Sequence, residues 1–179
     1  LENQHMPHEA ARTRVHLATA EAKLGNYEAA LKEMDKAKGI LNRTRNSIWV
    51  ARQQIQHAKV LLKLGNTEAA HQLIQQALET FEPGCLNFVA AALLKGEVFL
   101  AEGRLEAAHR MVEKSMATAK KLNDLTFRYS AYVLLGRIAE ARERPKRAAR
   151  YYRAGVATLE RSYRHLTITL RSGFLEDKG

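Results

Sequence analysis

Proline and glycine are scarce in this 179-residue chain, with 3 and 10 respectively. That argues against all-β and disordered classes, whose turns and low-complexity stretches use both freely. Cysteine is almost absent. Cys85 stands alone, so no intramolecular disulfide can form, and a reducing compartment, the cytoplasm, is the expected location. No apolar run approaches the ~20 residues needed to cross a bilayer. Arg12 and Arg14 are not followed by an apolar segment, so no signal peptide is read there. Opening on Leu1 rather than Met, the sequence reads as a piece of a longer protein, with Leu1 and Glu2 as a scar. Catalytic signatures are missing too: there is no Gly-rich phosphate loop, no nucleophile elbow and no zinc motif. The chain is expected to be no enzyme and to need no cofactor.

Strong helix formers dominate: Ala, Leu, Glu, Lys, Arg and Gln. Hydrophobic residues make up 46%, enough to bury a sizeable core. Acidic residues are outnumbered, giving a net charge of +10. From Lys120 onward there are 14 Lys plus Arg against 6 Asp plus Glu, a net of +8, so the excess sits in the last third. A basic pole suits an acidic protein surface, a neighbouring domain or nucleic acid; a plain solvated surface is the competing reading.

The chain repeats itself. LGNYEAA occupies Leu24 to Ala30 and LGNTEAA occupies Leu64 to Ala70. EGRLEAA puts Gly103 in the same place, and ERPKRAA puts Arg144 there. Each copy ends in an alanine pair, so Ala30, Ala70, Ala108 and Ala149 are expected at helix–helix contacts. A period of this size marks a repeat array. Gly tolerates the left-handed conformation that ends a helix, and Asn caps the next one. Pro145 takes over as a helix-start residue in the fourth copy.

Apolar stripes flank the first turn at helical spacing: Val15, Leu17, Ala18, Ala22 and Leu24 before it, and Ala30, Leu31, Met34, Ala37, Ile40 and Leu41 after it. Eight helices follow, at 8–24, 27–43, 47–64, 67–81, 85–102, 104–121, 124–142 and 145–172. The fold class is all-α, an α-solenoid of four hairpins in a right-handed superhelix. It forms one domain over 1–179 with repeats at 8–44, 46–82, 84–122 and 124–172.

Other chemistry is weighed against packing. His5 and His8 have a metal-compatible spacing but no further ligands, so they read as solvated. His57 and His71 read as packed or hydrogen-bonded, and Cys85, after the break at Glu82 to Gly84, as a small buried residue at a helix start. No metal site is expected. Trp49, Phe81, Phe88, Phe99 and Phe127 read as core. Of the adjacent Tyr151 and Tyr152, one is expected buried and one exposed.

Gly25, Tyr27 and Ala30, with Ala37 later, resemble the tetratricopeptide repeat. Thr67, Leu105 and Lys146 replace the aromatic in later copies, and the fourth copy lacks the Gly. The period exceeds the usual ~34 residues, which is similar to the helical sensor arrays of bacterial regulators such as the maltose-activator type. The stretch from Leu159 to Leu175 resembles the tails of arrays attached to bacterial kinases and activators. The resemblance implies a non-catalytic scaffold or sensor within a larger bacterial signalling or transcription-regulatory protein, with a protein or peptide as partner.

Its concave groove, carried over by register, puts Arg12, Val15, Thr19 and Lys23 in the first repeat. It puts Arg52, Ile55, Lys59 and Lys63 in the second, and Ala90, Leu93, Glu97 and Leu100 in the third. Ala131, Leu134 and Ile138 follow in the fourth. The family's clamp for a terminal carboxylate uses Asn where Thr19, Lys59 and Glu97 stand, so a chaperone adaptor is not implied. Self-association through the array's end faces is a further option.

The final helix is the most explicit. With Arg150 at zero on a helical wheel, Lys146, Arg153, Arg161, Arg164 and Arg171 fall between about −60° and +20°. Ala148, Tyr152, Val156, Leu159, Tyr163, Leu166 and Leu170 gather on the roughly opposite arc. The expectation is one buried side and one basic ridge, which docks an acidic surface or, as the alternative function, nucleic acid.

Overall fold

The computed structural model describes residues 5–44 and 46–176, and the side chains of 7–44 and 46–164. Among the described residues there are eight α-helices and no strand. They are α1 (His5–Lys23), α2 (Tyr27–Arg43), α3 (Ser47–Lys63), α4 (Thr67–Thr80), α5 (Leu86–Ala101), α6 (Leu105–Lys121), α7 (Leu125–Ala141) and α8 (Pro145–Glu176). The bounds follow the sequence pattern because the stop and start signals are local.

At α1–α2, Gly25 takes φ 85°. Its N–H donates to the Ala22 carbonyl at 3.3 Å and the Asn26 N–H to the Glu21 carbonyl at 2.9 Å. That pair of bonds closes a helix end on a left-handed residue. Gly65 and Asn66 repeat it, with φ 77° at Gly65. The two asparagines then differ. Asn66 Oδ1 accepts from the Ala69 N–H at 3.2 Å and caps α4, whereas Asn26 Nδ2 donates to Glu21 Oε2 at 2.8 Å and forms no side-chain cap. Asn46, Cys85 and Asp124 cap α3, α5 and α7, Asp124 most tightly, at 2.7 Å to the Phe127 N–H.

The fourth turn corrects the sequence register. Glu143, not Arg144, takes the left-handed place, at φ 56°. Its N–H donates to the Glu140 carbonyl at 2.7 Å and the Arg144 N–H to the Ala139 carbonyl at 2.9 Å, the same two bonds as at Gly25. Ala30, Ala70, Ala108 and Ala148 are therefore the equivalent positions, and all four are buried. Ala149, expected buried, is half-exposed.

By its internal contacts the chain forms two compact units, Leu1–Glu102 and Gly103–Gly179. In the first, α1 pairs with α2 and α3 with α4, while α3 also touches α1 and α5. The inner helices α1, α3 and α5 thus run side by side. Small residues allow the close approach: Ala51, Ala58, Ala70, Ala77 and Ala91 share one cluster with Ile55, Ile74 and Phe81. Ala18, Ala30, Met34 and Val60 form a second, and Ala11, Ala37 and Leu41 a third. Burial of each large aliphatic side chain contributes about 1.5–3 kcal/mol. Leu17 and Leu24, expected in the first stripe, are exposed because they sit on the side of α1 away from α2 and the α1–α2 turn respectively.

In the second unit α6 packs on α7 and α7 on α8. Arg142, at the end of α7, donates to the Leu105 carbonyl at 2.9 Å and pairs with Glu106 at 2.9 Å. Two glycines set the α7–α8 contact. The Tyr152 ring lies over Gly136, and Gly155 faces Tyr129 and Tyr132. Tyr152 also donates its hydroxyl to Glu140 Oε2 at 2.7 Å. Burial and that bond together hold its phenol above the usual range.

This contact decides which face of α8 is covered. Ala148, Gly155 and Thr158 are buried. Their mean direction lies roughly 70° round the helix from the centre of the arc that the apolar pattern marks, with Ala148 common to both. Val156, Leu159 and Tyr163, expected buried, are exposed. Tyr151 and Tyr152 are both half-buried rather than one of each. Leu166 and Leu170 lie outside the described side chains.

Candidate functional site

A groove of about 430 Å³ opens on the inner face of the first unit. Helix α1 supplies Arg12, Val15 and His16; α3 supplies Trp49, Arg52, Ile55 and Lys59; α5 supplies Asn87 and Ala90. The residues lining it include no Asp or Glu.

Each cation has its own setting. Arg52 stacks over the Trp49 ring, 5.1 Å from its centroid. That contact holds the guanidinium against an apolar wall. Arg12 is exposed and pairs with Glu9 at 2.7 Å, an i,i+3 pair on its own helix. Lys59 is exposed and its side chain lines the groove. Burial pulls its pKa below the usual lysine range, and the nearby Glu97 partly restores it.

Of the expected groove residues, Arg12, Arg52 and Lys59 come together with Val15, Ile55 and Ala90. Thr19, Lys23, Lys63 and Glu97 are not among the lining residues. Thr19 donates its hydroxyl to the Val15 carbonyl at 2.7 Å and is satisfied within α1. In the third repeat Leu93 is buried, as are Ala131, Leu134 and Ile138 in the fourth. Those four are core residues with little surface left to offer a ligand.

Trp49, Gln56 and Asn87 line the groove and were not anticipated. Trp49 and Asn87 stand one helical turn before Arg52 and Ala90, so extending the groove positions by a turn would have found them. Gln53, 2% exposed, donates Nε2 to the Met34 carbonyl at 3.0 Å and ties α3 to α2 beneath the groove.

On α8, Lys146, Arg150, Arg153, Arg161 and Arg164 are exposed, and Arg171 lies outside the described side chains. A second concavity gathers Lys146, Arg147 and Arg150 with Tyr132, Tyr151 and Ala154. Arg147 lies over the Tyr151 ring at 5.7 Å and donates Nε to its hydroxyl at 3.3 Å.

The histidines are placed apart. Burial lowers the His57 pKa, with Asp35 opposing it. His71 faces Glu102, at 4.0 Å, and the Phe99 ring. His8 lies against Trp49, and the His5 side chain is outside the described residues. Among the described residues no group of three or more His, Cys, Asp or Glu could hold a metal. No helix there is long and apolar enough to cross a membrane. Cys85 is half-buried rather than buried, and its Sγ accepts the Phe88 N–H at 3.4 Å.

Stacked helical hairpins with a side-chain-lined groove define an α-helical repeat protein of the interaction type. A family profile described as tetratricopeptide repeat matches residues 9–82, and a second of the same description matches 89–114. The chain is a tetratricopeptide-repeat array. Such repeats are protein-interaction scaffolds that generally bind proteins or peptides, on a fold that is generally non-catalytic.

Solved structures share the fold. BtubC (BKLC) from P. vanneervenii superposes with a TM-score of 0.72 at 17% identity, over 88% of this chain; the chain spans just under two thirds, 66%, of that one. The nearly identical TPR-like repeats assigned to a kinesin light chain of Podosopora anserina give 0.70 at 18% identity, over 87% of this chain and 77% of that one. Among curated proteins no relative matches.

Proposed function

We propose that the inner groove of the first unit binds a protein segment with apolar side chains along one edge and carboxylates at the other. One observation carries this reading: Arg12, Arg52 and Lys59 share a groove with Trp49, Val15 and Ile55, and no acidic residue lines it. Apolar walls supply affinity, and the cations select charge and register. The chain acts without catalysis, as a sensor or scaffold in a larger cytoplasmic regulator of bacterial type. The long repeat period, from Gly25 to Gly65 and on to Gly103, supports that placement. The single tryptophan lies in the groove, so its emission reports occupancy directly.

The test is a peptide panel that varies acidic and apolar content, read by Trp49 fluorescence. Acidic, apolar peptides should bind with a salt-dependent affinity. Arg52→Glu with Lys59→Glu should weaken them at least about tenfold, a loss of ~1.4 kcal/mol. Unchanged binding in that variant, or a partner cross-linked wholly to α2 and α4, would overturn the reading.

A second reading concerns the other unit. Lys146, Arg147 and Arg150 interleave with Tyr132 and Tyr151 in one concavity, a combination suited to single-stranded nucleic acid. A steep salt slope for oligonucleotide binding, lost in Arg147→Glu with Arg150→Glu, would support it. The same cations suit an acidic domain of a parent protein, and that complex would survive competition by oligonucleotide.

A further inference from the structure

The concavity on the α7–α8 pair is divided along its length. Lys146, Arg147 and Arg150 stand at one end, Tyr132 and Ala154 at the other, and Tyr151 between them. It encloses about 820 Å³, within the roughly 300–1,000 Å³ of small-ligand sites, and no Asp or Glu lines it.

Arg147 is already set for an anion. Its guanidinium lies over the Tyr151 ring at 5.7 Å, and its Nε donates to the Tyr151 hydroxyl at 3.3 Å. Its terminal nitrogens have no partner among the described residues. A guanidinium held through one nitrogen and open at the other two offers a phosphate a fixed fork. Lys146 and Arg150 form no ion pair among the described residues, so their charge is available too.

The other end suits a flat ring. Tyr132 packs beside Gly155, and among the described residues no ring or cation stacks on it. Ala154 contributes only a methyl group, which leaves the space beside the two phenols unfilled. Bases of every kind stack on aromatic side chains.

The one-sided charge separates a free nucleotide from a strand, in which phosphates flank each base on both sides. At 1.5 Å per residue the three cations stand roughly 8–14 Å before Gly155 along α8. A single phosphate monoester carries about −1.5 to −2, too little to match three cations spread over that length. Two or more phosphates in line supply both the charge and the reach.

We infer that this concavity binds a free nucleoside polyphosphate, with its base against Tyr132 and Tyr151 and its phosphates on Lys146, Arg147 and Arg150. From the strand reading above the inference takes only the location of the site.

The whole chain is titrated by calorimetry, without added magnesium, with adenosine, its mono- and diphosphate, and inorganic pyrophosphate. The diphosphate should bind at least about tenfold more tightly than the monophosphate and at least about fivefold more tightly than pyrophosphate. Arg147→Gln with Arg150→Gln should weaken the diphosphate at least about tenfold with helix content intact, because both side chains are exposed. Tyr132→Ala should bring the diphosphate down to the level of pyrophosphate and leave pyrophosphate itself unchanged, which a general loosening of α7 and α8 would not do. The Arg52→Glu with Lys59→Glu groove variant should bind the diphosphate as the unaltered chain does. A diphosphate no tighter than pyrophosphate, unaltered binding in the Arg147 and Arg150 variant, or loss of binding in the groove variant would overturn the inference. So would an oligonucleotide that needs Arg147 and Arg150 but that the diphosphate cannot displace, and the strand reading would then stand alone. Diphosphate binding without oligonucleotide binding upholds the inference and removes the strand reading.

Discussion

Replacing Glu143 by glycine should stabilise the protein. Glu143 is held at φ 56°, the conformation that Gly25 and Gly65 adopt at equivalent turns. An L-residue in that region costs roughly 1–2 kcal/mol. The bonds that close the turn come from the Glu143 and Arg144 N–H groups, so Glu143→Gly leaves them in place. Glycine brings its own cost of roughly 0.5–1 kcal/mol in unfolded-chain entropy. The net gain is about 0.5–1 kcal/mol, or a rise in Tm of about 1–4 °C at the ~2–4 °C per kcal/mol expected for this chain length. The reverse change supplies the control. At Gly65 a Cβ would meet nothing within 4 Å, so Gly65→Ala carries a backbone penalty without a clash. It should lower Tm by a similar or larger amount. Urea unfolding followed by circular dichroism measures both. A loss of stability in Glu143→Gly, or a neutral Gly65→Ala, would refute the turn assignment and with it the alignment of Ala148 to Ala30.

Ala70, fully buried between packed helices, should not accept leucine: Ala70→Leu should cost about 1–3 kcal/mol by overpacking, read as a lower urea midpoint. Gly136→Ala should cost a similar ~1–3 kcal/mol, because the new Cβ runs into the Tyr152 ring and displaces it from Glu140. Loss of the phenol's raised pKa in a spectroscopic titration would confirm the displacement. Acidification should destabilise the fold in two stages. Burial holds the His57 and His109 pKa values below the usual 6.5, so below that pH the unfolded chain takes up protons first and stability falls. Glu33, held below the usual 4.5 by hydrogen bonds from Lys36 and Arg14, loses its contribution only at lower pH, below 4.5. His57→Gln should shrink the first stage to the share of His109 and leave the second, as followed by Tm across pH.

The sequence by itself determined the eight helices and the family, because both rest on local chemistry. Gly25 and Gly65 stop helices by backbone freedom, and Asn46, Asn66 and Asp124 start them through their side chains. Alanines at fixed offsets let each hairpin close. These effects act within about one helical turn, so a linear reading captures them. The candidate site was legible only in part. Arg12, Arg52 and Lys59 were found because groove-facing positions recur with the repeat, but Trp49, Gln56 and Asn87 join them only through the way α1, α3 and α5 lie against one another. Tertiary structure also decided the fourth turn, where Glu143 is forced into the glycine position, and the rotation of α8. The larger apolar line of α8, through Val156, Leu159 and Tyr163, stays exposed. Gly155 on α8 and Gly136 on α7 permit a closer approach along a different line, and close packing gathers more dispersion contacts than a seam of larger side chains held further apart. Which of two apolar faces a helix buries is set jointly with the shape of the helix it meets, and of that fit α8's own sequence carries only its half, at Gly155.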